Sequence, residues 1–121
     1  MTSPFPQGFS PDSLHLNRFH FVGIGGCGMS GLARLLANLG GDVQGTDAVE
    51  SSVTQVLDED GITVSYLQDG TMISQEIDII IHSAAIPPDH PEINRADELG
   101  IPIVPDAQML GFVQSQHTSV C

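Results

Sequence analysis

The sequence predicts an α/β fold: a parallel sheet of about five strands in a three-layer arrangement, with helices on both faces. Three observations carry this. Short apolar runs alternate with segments of helical periodicity along the chain. One of the runs, IDIIIH at residues 77–82, is continuously apolar, which suits a strand buried on both faces of a parallel sheet. A glycine-rich turn, Gly23-Ile24-Gly25-Gly26-Cys27-Gly28, joins the first apolar run to the first helix.

In chain order, residues 1–17 carry Pro4, Pro6, Gly8 and Pro11 among Ser, Asp and Asn, and read as a flexible leader. His15 and Leu16 within it receive no function. Phe19–Val22 is the first strand. After the glycine turn, Met29, Leu32, Ala33, Leu36 and Leu39 recur at three- and four-residue steps, the pattern of a helix with one apolar face. Gly40-Gly41 turns the chain into a second strand, Asp42–Thr46, which ends at Asp47. Ser51 or Ser52 can cap a second helix over about residues 53–60, and Gly61 stops it. A third strand is expected at Ile62–Leu67, then a polar connection over 68–75 with Asp69-Gly70 as its turn. The fourth strand is Ile77–His82. Asp89 or His90 caps a third helix with Pro91 at its start, running to about Leu99 and stopped by Gly100. Ile101–Val104 is the fifth strand, ended by Pro105. Asp106 caps a last helix to about Gln114, and Thr118–Cys121 has the look of another strand beginning.

The order strand, glycine turn, helix is a site for a phosphorylated ligand. Glycines permit a tight turn and a close backbone approach, and the helix start offers unpaired N–H groups at the positive end of its dipole. Gly23-x-Gly25-x-x-Gly28 has the dinucleotide-fingerprint spacing, in its proper context of strand and helix. Ligands of such sheets lie beyond the carboxyl ends of the strands where the strand order reverses. Three loops should meet there: Gly23–Ser30, Thr46–Ala48 and His82–Ile86. Asp47, at the end of the second strand, is placed to accept hydrogen bonds from ribose hydroxyls, or to be a solvated turn residue. Ser30 can turn its hydroxyl to a phosphate oxygen or simply allow close helix packing. Cys27 sits at a helix start that can lower a thiol pKa, but no base adjoins it in sequence, and a small loop-filling residue is the favoured reading. His20 and His82 fall on core strands. A metal pair there lacks a third ligand of suitable spacing, so core or strand-end histidines are favoured, His82 being the better functional candidate. The small side chains of Ser83, Ala84 and Ala85 leave room for a ligand.

Composition excludes several classes. The chain of 121 residues suits one domain; it has 15 acids, three arginines (Arg18, Arg34, Arg95), no lysine and a formal net charge of −12. That balance opposes nucleic acid and anionic membrane surfaces. Without lysine the chain has no Walker-type phosphate loop, so it carries no ATP-hydrolysing machinery of that kind. Backbone amides must therefore do most of the work at a phosphate. No apolar run approaches the roughly 20 residues that cross a bilayer, and no secretory signal is evident. The two cysteines, Cys27 and Cys121, suggest no disulfide framework, and a reducing cytoplasm is the expectation.

The stretch His20-Phe21-Val22 followed by Gly23-Ile24-Gly25-Gly26-Cys27-Gly28-Met29-Ser30 resembles the opening of the Mur ligases. The resemblance continues through Gly45-Thr46-Asp47, Ser83-Ala84-Ala85-Ile86 and Ala107-Gln108-Met109-Leu110, and is nearest to the members that join L-alanine to UDP-N-acetylmuramate. It implies a Rossmann-like first domain that binds the UDP part of the sugar nucleotide, a central domain that binds ATP and magnesium, and a third that helps bind the amino acid. In the whole enzyme ATP phosphorylates the lactoyl carboxylate, and the amine of L-alanine attacks the acyl phosphate to make the first peptide-stem bond of peptidoglycan. By this resemblance residues 18–117 are the UDP-sugar-binding domain, and residues 118–121 a truncated start of the ATP-binding central domain. Gly25, Gly26, Cys27, Gly28, Met29 and Ser30 would hold the diphosphate. Thr46 and Asp47 would lie at the uridine, and Ser83, Ala84, Ala85 and Ile86 would flank the nucleotide. No catalytic residue, metal ligand or cofactor is expected in this chain, which should bind substrate and catalyse nothing without the missing central and C-terminal domains. Two departures stand out: relatives often place a histidine where Leu67-Gln68-Asp69 stands, and an arginine where Asp106 stands. Two other readings share the motif: a regulatory NAD- or adenine-nucleotide-binding Rossmann module, and a ligase of the same family that recycles a ready-made peptide.

Overall fold

A computed structural model describes residues 18–83 and 86–116. The expected leader at 1–17, the strand start at 118–121, and Ala84 and Ala85 lie outside the described residues, as does the side chain of Cys27.

Five strands form one parallel sheet in the order β3-β2-β1-β4-β5. They are β1 (Arg18–Val22), β2 (Asp42–Thr46), β3 (Thr63–Ser65), β4 (Ile79–His82) and β5 (Ile103–Pro105). The helices between them are α1 (Cys27–Asn38), α2 (Ser52–Glu59), α3 (Pro91–Leu99) and α4 (Asp106–Gln116). The order reverses between β1 and β4, which pair through Phe19–Ile79 to Val22–His82.

The alternation of side chains along β1 sorts the core into two layers. Phe19 and Phe21, with Ile79 and Ile81 of β4, face a cluster that takes in Met29, Leu32, Ala33 and Leu36 of α1, Leu57 of α2 and Met109 of α4. Val22 and Ile80 face the opposite side, against Ala96 of α3 and Ile73, Ile77 and Ile101. Each large apolar side chain so buried contributes about 1.5–3 kcal/mol. β4 is apolar on both faces up to His82 because both faces are covered.

The expected caps are in place. The Ser51 hydroxyl accepts from the Thr54 N–H, and the Thr54 hydroxyl accepts from the Ser51 N–H, a reciprocal box that starts α2. His90 caps α3 by accepting from the Glu92 N–H, with Pro91 at the first helical position. Gly100 ends α3 in the left-handed region.

Three strands are shorter or shifted relative to expectation, for one reason: residues next to a helix stop or turn spend their backbone groups there. The Ile62 N–H bonds to Leu57 O and the Ile101 N–H to Ala96 O, so both residues close the preceding helix while their side chains join the core. The Ile77 N–H bonds to Ser74 O in a turn. Tyr66 and Leu67 leave the sheet, and Leu67 is exposed. Pro105 does not end β5 but belongs to it, opposite His82. β5 is an edge strand, where a missing N–H leaves no neighbour unpaired.

Candidate functional site

The site forms at the carboxyl ends of β1, β2 and β4, where the order reverses. Gly23 turns the chain with φ +81°, a conformation that favours glycine. The Gly23 and Ile24 N–H groups both donate to the Thr46 carbonyl, at 2.8 and 2.9 Å. The loop is thus hung from the last residue of β2. Ile24 then drops into the core over Gly45, where an added Cβ would stand 2.7 Å from Ile24 Cδ1 and 2.8 Å from Phe21 O. Gly26 is the N-cap of α1 and brings no side-chain cap, and no acidic residue lies in the first turn. The N-cap residue of α1 therefore offers its first-turn N–H groups no side-chain acceptor.

The loop glycines have different reasons. A Cβ at Gly25 would lie 2.6 Å from Asp47 Oδ2 and 3.0 Å from Thr54 Cγ2, so glycine is required there by the fold itself. Among the described residues, a Cβ at Gly28 would meet only Asp106 Oδ2, at 3.5 Å, which is ordinary contact. Packing against these residues does not demand glycine at position 28.

The expected residues divide into those the fold gathers and those it does not. Asp47 Oδ2 accepts from the Gly25 N–H at 2.7 Å, and its other oxygen accepts from the Val49 N–H at 3.3 Å. The acid after β2 thus stands beside the glycine loop, engaged with backbone. Ile86 packs on Gly23, within 3.4 Å of where a Cβ would be, which brings the loop after β4 to the same place. The Ser83 carbonyl accepts from His82 Nδ1–H and from the Ile86 N–H. His82, Ile86, Pro87, Pro88 and Ile93 line an apolar recess of about 270 Å³ beside that loop.

Two of the expected residues turn their side chains inward. The Thr46 side chain is fully buried on the α3 side of the sheet and donates to Glu92 Oε1; its main chain is what reaches the loop. The Met29 side chain is 1% exposed and packs in the core, so position 29 can offer a ligand its main chain alone. Ser30 is half-buried and faces a groove of about 250 Å³ between α1 and α2, with Arg34, Ser52, Val53, Val56 and Leu57.

The electrostatics are unusual for a phosphate site. Arg18 pairs with Asp42 and Glu76 at the opposite edge of the sheet, and Arg34 pairs with Asp60. Two carboxylates, Asp47 and Asp106, flank the helix start instead. Among the described residues no three His, Cys, Asp or Glu side chains are grouped so that they could hold a metal ion. In the connection after β3, the Thr71 hydroxyl and N–H both donate to Asp69 and hold its carboxyl below the ordinary value of 3.8.

Sequence reasoning missed Glu92. It reads as an acid in the first turn of a helix, favoured by the dipole. In the fold it is fully buried beside His20, at 3.1 Å. A histidine in the middle of an apolar strand was the one available signal that a buried polar partner existed.

This sheet order, with an uncapped helix start at the reversal and an acid after the neighbouring strand, defines a doubly wound α/β domain of Rossmann-like type. Comparison with known proteins makes it particular: the profile of the Mur ligase family, catalytic domain, matches residues 18–118, and the chain belongs to that family. It is similar to the UDP-N-acetylmuramate--L-alanine ligases of Lachnospira eligens (43% identical over 98 residues, covering 81% of this chain and 21% of the relative) and Desulfosudis oleivorans (46% over 102 residues, 83% and 22%). Among solved structures it is similar to the UDP-N-acetylmuramate-alanine ligase MurC of Thermotoga maritima, with TM-score 0.78 and 31% identity over 82% of this chain and 23% of that one. It is also similar to the UDP-N-acetylmuramate:L-alanyl-gamma-D-glutamyl-meso-diaminopimelate ligase of Neisseria meningitides, with TM-score 0.71 and 26% identity over 78% and 30%. The chain spans about a fifth of the length of the curated relatives it matches. No helix among the described residues is long and apolar enough to cross a membrane.

Proposed function

We propose that this chain is the UDP-N-acetylmuramate-binding domain of a cytoplasmic, ATP-dependent ligase that adds L-alanine to that sugar nucleotide in peptidoglycan biosynthesis. The diphosphate lies against the N–H groups at the start of α1, along Gly25, Gly26, Cys27, Gly28 and the main chain of Met29, with Ser30 at its side. Asp47, Ser83 and Ile86 flank the nucleotide. The observation that carries this reading is Gly28, a glycine that packing against the described residues does not require, set at the uncapped first turn. The names of the relatives support the choice of sugar nucleotide and amino acid.

ATP and magnesium belong to another part of such a ligase. The residues here do not fit them: there is no lysine for a phosphate loop. The chain's own contribution is to bind and orient the sugar nucleotide so that its lactoyl carboxylate is presented to the remaining domains. By itself it forms no bond.

The test is calorimetric titration with UDP-N-acetylmuramate, with UDP and NAD as comparisons. The expected result is saturable binding of both uridine ligands and none of NAD. Gly28→Val is expected to leave the thermal unfolding midpoint nearly unchanged and to abolish binding, because the new side chain fills the approach to the helix start. Binding of NAD alone would overturn the reading in favour of a regulatory nucleotide module.

A further inference from the structure

Beneath the glycine loop, on the α3 side of the sheet, lies a buried polar cluster that the binding reading leaves unused. His20, Thr46 and Glu92 are all fully buried. Glu92 Oε1 accepts from His20 Nε2 at 3.1 Å and from the Thr46 hydroxyl, while Glu92 Oε2 is buried with no hydrogen-bond partner among the described residues. Gln68 Nε2 donates to the Thr46 hydroxyl oxygen at 3.2 Å. Gln44 Nε2 reaches both Met72 O, at 3.1 Å, and His20 Nδ1, at 2.9 Å. A carbonyl only accepts, so the Gln44 group at that point is the NH₂ end, and it donates to Nδ1 as well. The His20 ring is thereby assigned its proton on Nε2, directed at Glu92.

A buried carboxylate is costly to keep, and a merely structural site is satisfied as well or better by apolar residues of similar volume. What sets this one apart is its link to the loop. Thr46 is bonded on both sides: its hydroxyl to Glu92, its carbonyl to the Gly23 and Ile24 N–H groups. The next residue, Asp47, takes the Gly25 N–H. Three consecutive loop amides therefore depend on where residues 46 and 47 stand. We propose that Glu92 is a positioning residue for the ligand loop, acting through Thr46 as a fixed acceptor at the start of α3, with His20 and Gln44 locking its orientation. The loop's importance for ligand rests on the function proposed above; the relay itself does not.

Amide hydrogen exchange on the 121-residue chain, read by NMR, separates the two. Glu92→Met removes the acceptor and keeps the volume; Thr46→Val removes the donor; Glu92→Gln keeps an acceptor oxygen for both partners. In Glu92→Met and Thr46→Val, protection of the Gly23, Ile24 and Gly25 amides is expected to fall about tenfold or more while Leu36 and Ile81 hold theirs. Glu92→Gln is expected to restore it, and His20 to carry its proton on Nε2 in the unsubstituted chain. UDP affinity should follow the same order. Unchanged loop amides in both variants, a parallel fall at Leu36 and Ile81, equal loss in Glu92→Gln, or a proton on Nδ1 would each overturn the proposal. If Glu92→Met does not fold, Thr46→Val decides. Failure of the unsubstituted chain to bind UDP would remove the ligand reading, and the exchange pattern would still decide the role of Glu92.

Discussion

Asp106 is the residue on which the strength of the site turns. It opens α4, and one of its oxygens lies within 3.5 Å of where a Gly28 Cβ would be, at the N-terminus of α1. A negative charge stabilises the start of its own helix, yet here it shares the field of a second helix start, the one proposed to hold the diphosphate. Asp106→Asn keeps the shape and a capping oxygen and removes the charge. A helix-terminus charge is worth 0.3–1 kcal/mol, so UDP affinity is expected to rise roughly two- to fivefold in this variant. Titration at fixed ionic strength checks it, and an unchanged or weaker affinity would show that Asp106 is screened from the ligand. The sequence marks Asp106 as a helix start and, by the family resemblance, as a departure from an arginine. Its proximity to Gly28 follows from α4 packing beside α1, which no local pattern encodes.

At the scale of elements, the glycine loop and β2 are one unit. Gly45 lies in the middle of β2, where glycine weakens a strand unless something comes close. What comes close is Ile24, the buried residue of the loop. Gly45→Ala forces Ile24 or the β1 backbone to move and is expected to destabilise the fold by about 1–3 kcal/mol. Urea unfolding measures this; a loss below about 0.5 kcal/mol would mean that the loop yields at little cost. Periodicity located α1, and cap and stop residues located α2 and α3, leaving Ser51 or Ser52 and Asp89 or His90 open, which the structure resolves to Ser51 and His90; helix signals are local hydrogen-bond chemistry. Periodicity overextended β3, β4 and β5, because Ile62, Ile77 and Ile101 are apolar for the core and yet belong to turns and helix stops. An apolar residue signals burial, and burial does not require a strand.

For the molecule as a whole, the charge balance sets the response to salt. The net charge is −12, and the Arg18 and Arg34 side chains are committed to ion pairs away from the loop. An anionic ligand therefore approaches a negative surface and is held by amide dipoles at short range. Added salt screens the long-range repulsion more than the local bonds. UDP binding is expected to tighten, by about a factor of two or more, between roughly 20 and 200 mM ionic strength. Sites built on lysine and arginine respond in the opposite sense. Titration across that range checks the sign, and weakening with salt would point to a cationic contribution to the site.

What the residues by themselves determined is the architecture and where a candidate site would fall. A strand, a glycine turn and a helix in register, with an acid after the next strand, depend on neighbours a few positions apart, so the glycine turn and the place of Asp47 in the chain were readable before any fold was known. The tertiary structure decided which way side chains face and what is brought together from afar. Thr46 and Met29 turned inward because the parity of β2 and the face of α1 put them there. Glu92 met His20 across 72 positions, and Asp106 met Gly28, because α3 and α4 pack on opposite sides of the same sheet. Such contacts are set by the packing of whole layers, and no short window of sequence contains both partners.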